Sequence, residues 1–460
     1  MSIQMKSIYK SLIIAGFAAM ATSCDYTDLK PTDQVDDGSI YSSTTALEQV
    51  VNGANAKISV SQLIRVSTIL TDEVRKGGQN GGASDDTFQW TYTASTGDHN
   101  DLWSKEYQVI NLVNRILEGA ENIPANTDAE KASKNNSVGT VKFLRAYTNL
   151  QLLLYFSDIE KGDSYGIPYV FKPVVLETPG RNTVSECFGF MIKDLEEAMP
   201  LLKQVTPEDP VYVSQTAAKA LLARIYLYMK DYTKAYQYAA EALKEKPLAS
   251  MEKYADIWSD TSNEDVIWKL KRLVGDETIG TIFWSADNSS AFEASEALID
   301  CFDANDIRLT TFIGDGVDRE GVKVKRVNKY KGTAANVGLA DGKMLRSSEM
   351  VLIMAEAKAQ TSLKDASDLL NTLRAQRIEG WENKTYTTPE EFTKQLLLER
   401  RRELCFEGHR FFDMKRYQQP ITKTSIKKTL EVGNHRWLMP IPLAEMQGNP
   451  VIAEQQNPGY

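Results

Sequence analysis

Residues 396–417 read LLLERRRELCFEGHRFFDMKRY. Leu397, Leu404, Gly408 and Phe411 recur at the three- and four-residue intervals of one helix face, and no proline interrupts them. The spacing therefore predicts a single amphipathic helix from Leu396 to Tyr417 that buries one side. Its other side carries Glu399, Glu403 and Glu407 four residues apart, an arrangement of like charges that is unfavourable unless basic groups sit among them. Arg400, Arg402 and Arg410 each lie three residues from a glutamate, and Arg410 is also three from Asp413. The spacing predicts that the helix supplies much of its own counter-charge. A row of carboxylates also occurs in acid–base and metal sites, but alternation with arginine points to a structural ion-pair network.

Outward from this stretch the chain is mainly α. Ala217 to Pro247 (AAKALLARIYLYMKDYTKAYQYAAEALKEKP) places Ala223, Tyr226, Ala235, Ala239, Ala242 and Pro247 at the offsets of a tetratricopeptide-like hairpin. A weaker copy spans Ser347 to Arg377, with Ala355 and Ala366 at the close contacts and Ser362 as a cap. Helical periodicity also covers Leu102 to Leu117 and Val138 to Phe156, the latter apolar on most faces and so expected deep in a bundle. Two stretches break the pattern. Residues 71–100 are rich in glycine and hold Phe88, Trp90 and Tyr92; residues 248–345 contain short strand-like runs, turn clusters and Trp258, Trp268, Phe283 and Trp284. Irregular segments on a rigid frame are where binding sites are usually carried. The proline-rich residues 437–460 are expected to pack as an extended segment.

At the N-terminus, Lys6 and Lys10 precede the apolar run 11–20, and small residues lead to Cys24. This is the pattern of a secretory leader, and a cysteine in that position resembles a bacterial lipobox, in which Cys24 is acylated. Residues 25–45 are polar and acidic, as a tether is. The expected organisation is a leader at 1–23, a tether at 24–45 and one domain at 46–460. Within that domain lie the 71–100 loop region, hairpins at about 137–247 and 345–418, the insertion at 248–345 and an extended end at 420–460. Cys187, Cys301 and Cys405 have no C-x-x-C spacing, and His99, His409 and His435 form no H-E-x-x-H pattern, so neither a disulfide framework nor a zinc site is expected. A formal net charge of −9 disfavours nucleic-acid binding.

Several separate motifs converge on one family. VKFLRAYTNLQLLLYFSDI from Val141 resembles the F-R-A-x-x-Y-x-x-L-x-x-x-F-G-D helix of the SusD/RagB surface lipoproteins of Bacteroidetes, with Leu144 and Ser157 as departures. LRSSEMVLIMAEAKA from Leu345 resembles the L-R-x-x-E-x-x-L-x-x-A-E-A helix of that family. The opening stretch is similar to its E-R-x-x-E-L-x-F-E-G-x-R-x-x-D-x-x-R signature at Glu399, Arg400, Glu403, Leu404, Phe406, Glu407, Gly408, Arg410, Asp413 and Arg416. MPIPLAEMQGNP and the terminal QNPGY resemble its endings. The resemblance implies a SusD-like helical scaffold whose irregular insertion carries the ligand site. It also implies a non-enzymatic protein, lipid-anchored on the outer face of the outer membrane, that passes oligosaccharide or polysaccharide to a SusC-like TonB-dependent transporter.

The residues are compatible with that role. A sugar ring needs a flat aromatic for its C–H face and polar side chains for its hydroxyls. Trp90 and Tyr92 stand beside Asp98 and Asn100, and Trp284 stands beside Asp287 and Asn288; Asp72 and Arg75 add charged groups just before the glycine-rich loop. No cofactor is expected, although turns such as Asp85-Asp86 offer oxygens to a structural calcium. Three alternatives remain open at this level: capture of peptides by a RagB-like protein, a tetratricopeptide scaffold for protein partners, and a glycoside hydrolase using paired carboxylates.

Overall fold

Most of the longer helices in this chain start where a Ser, Thr or Asp side chain accepts an N–H from the first turn, a donor that would otherwise have no partner. The computed structural model describes residues 41–173, 176–204 and 209–460; the leader, Cys24 and most of the 24–45 tether lie outside the described residues. Ser43 opens α1 (Thr44–Lys57) and Ser59 opens α2 (Val60–Ile69). After α3 (Gly97–Glu121), α4 (Asp128–Phe156) begins well ahead of the apolar periodicity because Thr127 and Glu130 form a reciprocal capping box. The same device at Thr183 and Glu186 opens α5 (Val184–Ala198). There follow α6 (Gln215–Tyr228), α7 (Tyr232–Glu245), α8 (Ser347–Lys358), α9 (Leu363–Ala375), α10 (Pro389–Leu404) and α11 (Arg410–Arg416).

Short strands connect this frame: β1 (Val74–Lys76), β2 (Val266–Leu270), β3 (Phe292–Ala294), β4 (Ile313–Val317), β5 (Lys323–Val327), β6 (Gly342–Arg346), β7 (Ile421–Lys423) and β8 (Lys428–Leu430). They pair antiparallel as β1–β3, β2–β6, β4–β5 and β7–β8. About half of the chain is helical, so the fold is mainly α.

The helices pack as hairpins wherever small residues let two axes come close. Ala223, Ala235, Ala239 and Ala242 are fully buried where α6 meets α7, and α7 also packs on α8. Ala355 and Ala366 do the same between α8 and α9, which Ser362 caps by accepting the N–H of Asp365. β2 is attached to α4 through Trp268, whose ring is met edge-on by Phe143 and Tyr147 at 4.9 and 5.0 Å. The C-terminal stretch departs from the extended conformation expected of it. It holds two short helices, Leu443–Gly448 and Pro450–Ala453, with Pro442 and Pro450 at their starts, where a missing N–H costs nothing.

The 396–417 stretch is two helices, not one. α10 ends at Leu404, Cys405 is extended, Phe406 and Gly408 take φ of +62° and +92°, and α11 restarts at Arg410. A left-handed phenylalanine costs on the order of 1–2 kcal/mol. Here its N–H is held by Glu73 Oε2 at 3.2 Å and its ring packs on Phe283 at 5.4 Å. The apolar residues that looked like one stripe therefore serve different places: Leu404 packs with α8 and α9, whereas Phe411 joins the main core.

The glutamate row is neutralised, but by other segments. Glu399 accepts from Arg308 and Arg374, both at 2.6 Å. Glu403 accepts from Arg346 at 2.9 Å, Arg308 at 3.1 Å, Arg377 at 3.2 Å and the Tyr254 hydroxyl at 3.0 Å. Glu407 accepts from Lys329 at 2.6 Å and twice from Arg346 at 2.8 Å. Every side chain in these ion pairs is at most 4% exposed. The arginines of α10 and α11 turn elsewhere: Arg400 to Asp413, Arg402 to Asp303, and Arg401 and Arg410 to Asp72. The expectation that the helix neutralises itself is thus corrected. Its own arginines leave on other faces, and the counter-charges come from chain up to 95 residues away. Burial alone would raise the Glu403 carboxyl, but Arg377, Arg346 and Arg308 hold it well below the usual carboxylate range.

Two predictions follow from this packing. Glu403→Gln leaves three buried guanidinia short of charge and should cost about 3–5 kcal/mol in urea unfolding; a loss below about 1 kcal/mol would contradict the network's role. The second concerns Glu106 on α3, which is buried with neither oxygen hydrogen-bonded and is pushed up to about 8 by burial and then by Glu277. Glu73, pushed up to about 7 by burial, behaves alike. Such carboxyls are protonated in the fold and ionised when unfolded, so their contribution is lost as pH rises through the folded value. His99, held near 4 by burial, works in the opposite direction only below its ordinary pKa, and Lys415, held near 8 by burial, only above about 8. Lys423, which burial holds well below the usual lysine range, also works in the opposite direction. Between pH 6.5 and 8, relative to the unsubstituted chain, Glu106→Gln should therefore remove one of the pulls that lower stability as pH rises and shift the slope upward. An unchanged slope in the variant would contradict the assignment.

Candidate functional site

The two irregular stretches are brought side by side by β1 pairing with β3, in the register Val74↔Ala294, Arg75↔Glu293 and Lys76↔Phe292. Beyond the strands the contact continues: Gly77 N–H donates to Ala291 O at 2.9 Å, Asn80 Nδ2 to the same oxygen at 3.0 Å, and Ser290 N–H to Gln79 Oε1 at 3.0 Å. A Cβ on Gly77 would lie 2.2 Å from Ser290 O, so only glycine allows this approach. The β4–β5 hairpin forms the next wall. Gln79 Nε2 reaches Asp318 Oδ2 at 2.9 Å and also Glu320, and Arg326 of β5 lies 4.7 Å above the Trp284 ring. The result is a platform of amide, guanidinium and carboxylate groups across an aromatic ring, built from segments more than 200 residues apart in sequence.

The proposed ligand residues divide into three groups. Trp284, Asp287 and Asn288 belong to the platform. Trp284 is 7% exposed with Arg326 over its ring, which corrects the expectation of an open stacking face there; Asn288 is exposed at φ +62°, and its carbonyl accepts the Arg319 N–H at 3.1 Å. Asp287 is exposed and pushed down to about 2 by hydrogen bonds from Ser289 and Ser285. Arg75 also lies here, paired across the strands with Glu293 at 2.9 Å and Glu296 at 2.7 Å.

Asp72 sits beneath the platform. It is buried and clamped by Arg401 at 3.0 Å and Arg410 at 3.1 Å, so it anchors the loop to α10 and α11. Glu73 beside it holds the Phe406 N–H, which ties β1 to the α10–α11 break.

Trp90, Tyr92, Asp98 and Asn100 lie elsewhere. Trp90 is 6% exposed, its indole N–H donating to Leu70 O at 2.9 Å and Lys423 lying 4.3 Å over its ring. Tyr92 is fully buried, edge-on to His99 at 4.3 Å, with its hydroxyl on Arg436 O. The expectation that these rings stand open on a loop is corrected: β7 and the C-terminal segment cover them. Asp98 accepts from Thr87 Oγ1 at 2.7 Å and pairs with Arg65 at 3.2 Å, and the Asn100 side-chain oxygen is buried within the start of α3. Asp85 pairs with Lys76 and Asp86 accepts from Thr91 Oγ1, and among the described residues no group of three or more His, Cys, Asp or Glu is arranged to hold an ion.

Sequence reasoning did not single out Gln79, Asn80, Asp318 or Arg326. The glycine cluster at 77–82 marked their loop as a turn, but their partners follow only from the β1–β3 pairing. Gly77→Ala should force the loops apart, lowering stability by about 1–3 kcal/mol and opening residues 77–92 to limited proteolysis. A variant with unchanged melting temperature and digestion pattern would contradict the close approach.

Two family models match the chain. One, described as SusD-like, starch-binding and associating with the outer membrane, matches residues 25–227; the other, described as the SusD family, matches residues 310–460. The segment with β2, β3 and Trp284 lies between them. SusD-like protein P25 of Formosa agariphila is 23% identical over 78% of this chain and 79% of its own. A SusD superfamily protein from Bacteroides vulgatus superposes with a TM-score of 0.80 at 23% identity, covering 91% of this chain and 99% of that one. A SusD-like carbohydrate binding protein from the same species superposes with a TM-score of 0.75 at 22% identity, covering 90% and 98%. Among the described residues no helix is long and apolar enough to cross a membrane. With the motifs at Val141, Leu345, Glu399 and the C-terminus falling inside the matched segments, this chain belongs to the SusD/RagB family.

Proposed function

We propose that the protein captures oligosaccharides at the β1–β3 platform, without turning them over, and delivers them to a SusC-like TonB-dependent transporter while anchored to the outer membrane through acylated Cys24. The observation that carries this reading is the close pairing of the 71–80 and 284–293 loops, which ties Gln79 to the end of the turn that carries Asp287 and Asn288, with Arg326 over the Trp284 ring. A ring lying across such a surface meets donors and acceptors on several sides.

The carboxylates support a binding role over hydrolysis. A glycosidase acid needs a raised pKa and access to a cleft. Glu399 and Glu403 are sealed among arginines and held low, whereas Glu73 and Glu106, which are raised, are buried beneath the surface.

The test is a glycan array on the purified chain without its leader, followed by calorimetry. At least one oligosaccharide should be retained, and Gln79→Ala and Arg326→Ala should each weaken it about tenfold, which corresponds to ~1.4 kcal/mol. Retention of peptides with no retention of any glycan would replace this reading with peptide capture. Release of reducing ends would overturn the non-enzymatic assignment.

A further inference from the structure

The chemical requirements of a sugar site are met a second time, away from the platform. Between the 158–161 turn, the end of α11 and the 432–438 turn lies an open cavity of about 510 Å³, within the size range of small-ligand sites. Its lining includes the apolar Met414, Val432 and Leu438, the aromatic Trp437, which is 8% exposed, and the polar Asp158, Gln418 and Asn434. Trp437 is fixed in place: its indole N–H donates to Glu431 O at 2.9 Å, and Phe411 stacks on it at 5.1 Å. The turn that carries it is tied back to the chain ahead of α3, because Tyr92 and Arg436 each donate to the other's carbonyl. Tyr92, expected from sequence to touch ligand, here holds a cavity wall.

The polar edge has hydrogen-bonding capacity to spare. Asn434 Oδ1 accepts the Arg436 N–H at 2.9 Å, which leaves Nδ2 as a donor. Gln418, at φ +49°, donates from Nε2 to Lys415 O at 2.9 Å, which leaves Oε1 as an acceptor. Asp158 is paired with Lys161 at 3.0 Å and keeps further lone pairs. The carboxylates of Asp158 and Glu160 are paired with Lys161 and Lys230, and Lys415 Nζ is held by the Leu154 and Ser157 carbonyls, so the charged groups of the lining are already partnered within the protein. A cavity that mixes apolar side chains with spare donors and acceptors suits the C–H groups and hydroxyls of a neutral polyol ring.

The geometry points to a second ligand site at this cavity, one that takes a neutral sugar ring against Trp437. The ligand class rests on the glycan reading above; the location does not.

The test uses protein labelled with 5-fluorotryptophan, whose seven residues give separate fluorine resonances, assigned by Trp437→Phe and Trp284→Phe. Glucose, galactose, mannose, xylose and their disaccharides are titrated to millimolar concentration. At least one should shift the Trp437 resonance saturably. Asn434→Asp, which keeps the capping oxygen, and Gln418→Gly, which suits the positive φ, should each weaken that response about tenfold and leave any Trp284 response unchanged. A Trp437 resonance that stays still with every probe, or a response equally strong in both variants, would overturn the proposal. The Trp284 resonance reports on the platform independently, so failure at one site is distinguishable from failure at the other.

Discussion

Two glutamates in successive turns of α10 and a third, Glu407, in the break that follows it cannot be buried unless cations from elsewhere reach them, and that requirement organises this molecule. Desolvating a carboxylate costs several kcal/mol, and removing a single partner strands the rest. The chain meets the requirement by folding Arg308 from the insertion, Arg346 from β6, Arg374 from the last turn of α9 and Arg377 just past its end onto α10. Each of these segments would otherwise be a separate piece of irregular or helical chain. The network fixes where they meet, and so fixes where β4–β5 and β3 emerge.

The assembly of the β1–β3 platform follows from that arrangement. Glu407, Phe406 and Gly408 mark the break between α10 and α11. At this break Glu73 takes the Phe406 N–H while Asp72 takes Arg401 and Arg410, so β1 is seated on the same helix ends that complete the network. β1 then pairs with β3, and Gly77 permits an approach that any side chain would block. A local steric allowance at one glycine and a charge requirement at one helix are thereby connected through a few residues.

Much of the scaffold was legible in the sequence. Alanine spacing marked the 217–247 hairpin, Ser362 marked a helix start, and the glutamate row marked an ion-pair network, because each of these signals lies within a few residues of sequence; the burial of that row, on the side opposite the apolar stripe, was not legible. The identity of the arginines was not legible, since Arg308 and Arg377 reach Glu403 across the folded chain and leave no local pattern. The helix break was hidden for a different reason: with no proline present, Phe406 adopts a left-handed conformation that only its tertiary partners stabilise. The platform was half legible. Its loops stood out by composition, and Trp284, Asp287, Asn288 and Arg75 lie on it, but burial of Trp90 and Tyr92 depends on β7 and the C-terminal segment, hundreds of residues later. The motifs that signalled the family coincide with the network, as Glu399, Arg400, Glu403, Glu407 and Arg416 are all paired and buried or nearly so.

Native-state hydrogen exchange across a urea series tests the central claim most directly. If the network is a single cooperative unit, amides around Arg308, Arg346, Arg374 to Arg377 and Glu399 to Glu407 will share one opening free energy and one urea dependence, equal to those of global unfolding. Exchange of the Arg308 segment through a smaller opening with a shallow urea dependence, while α10 stays protected, would contradict it.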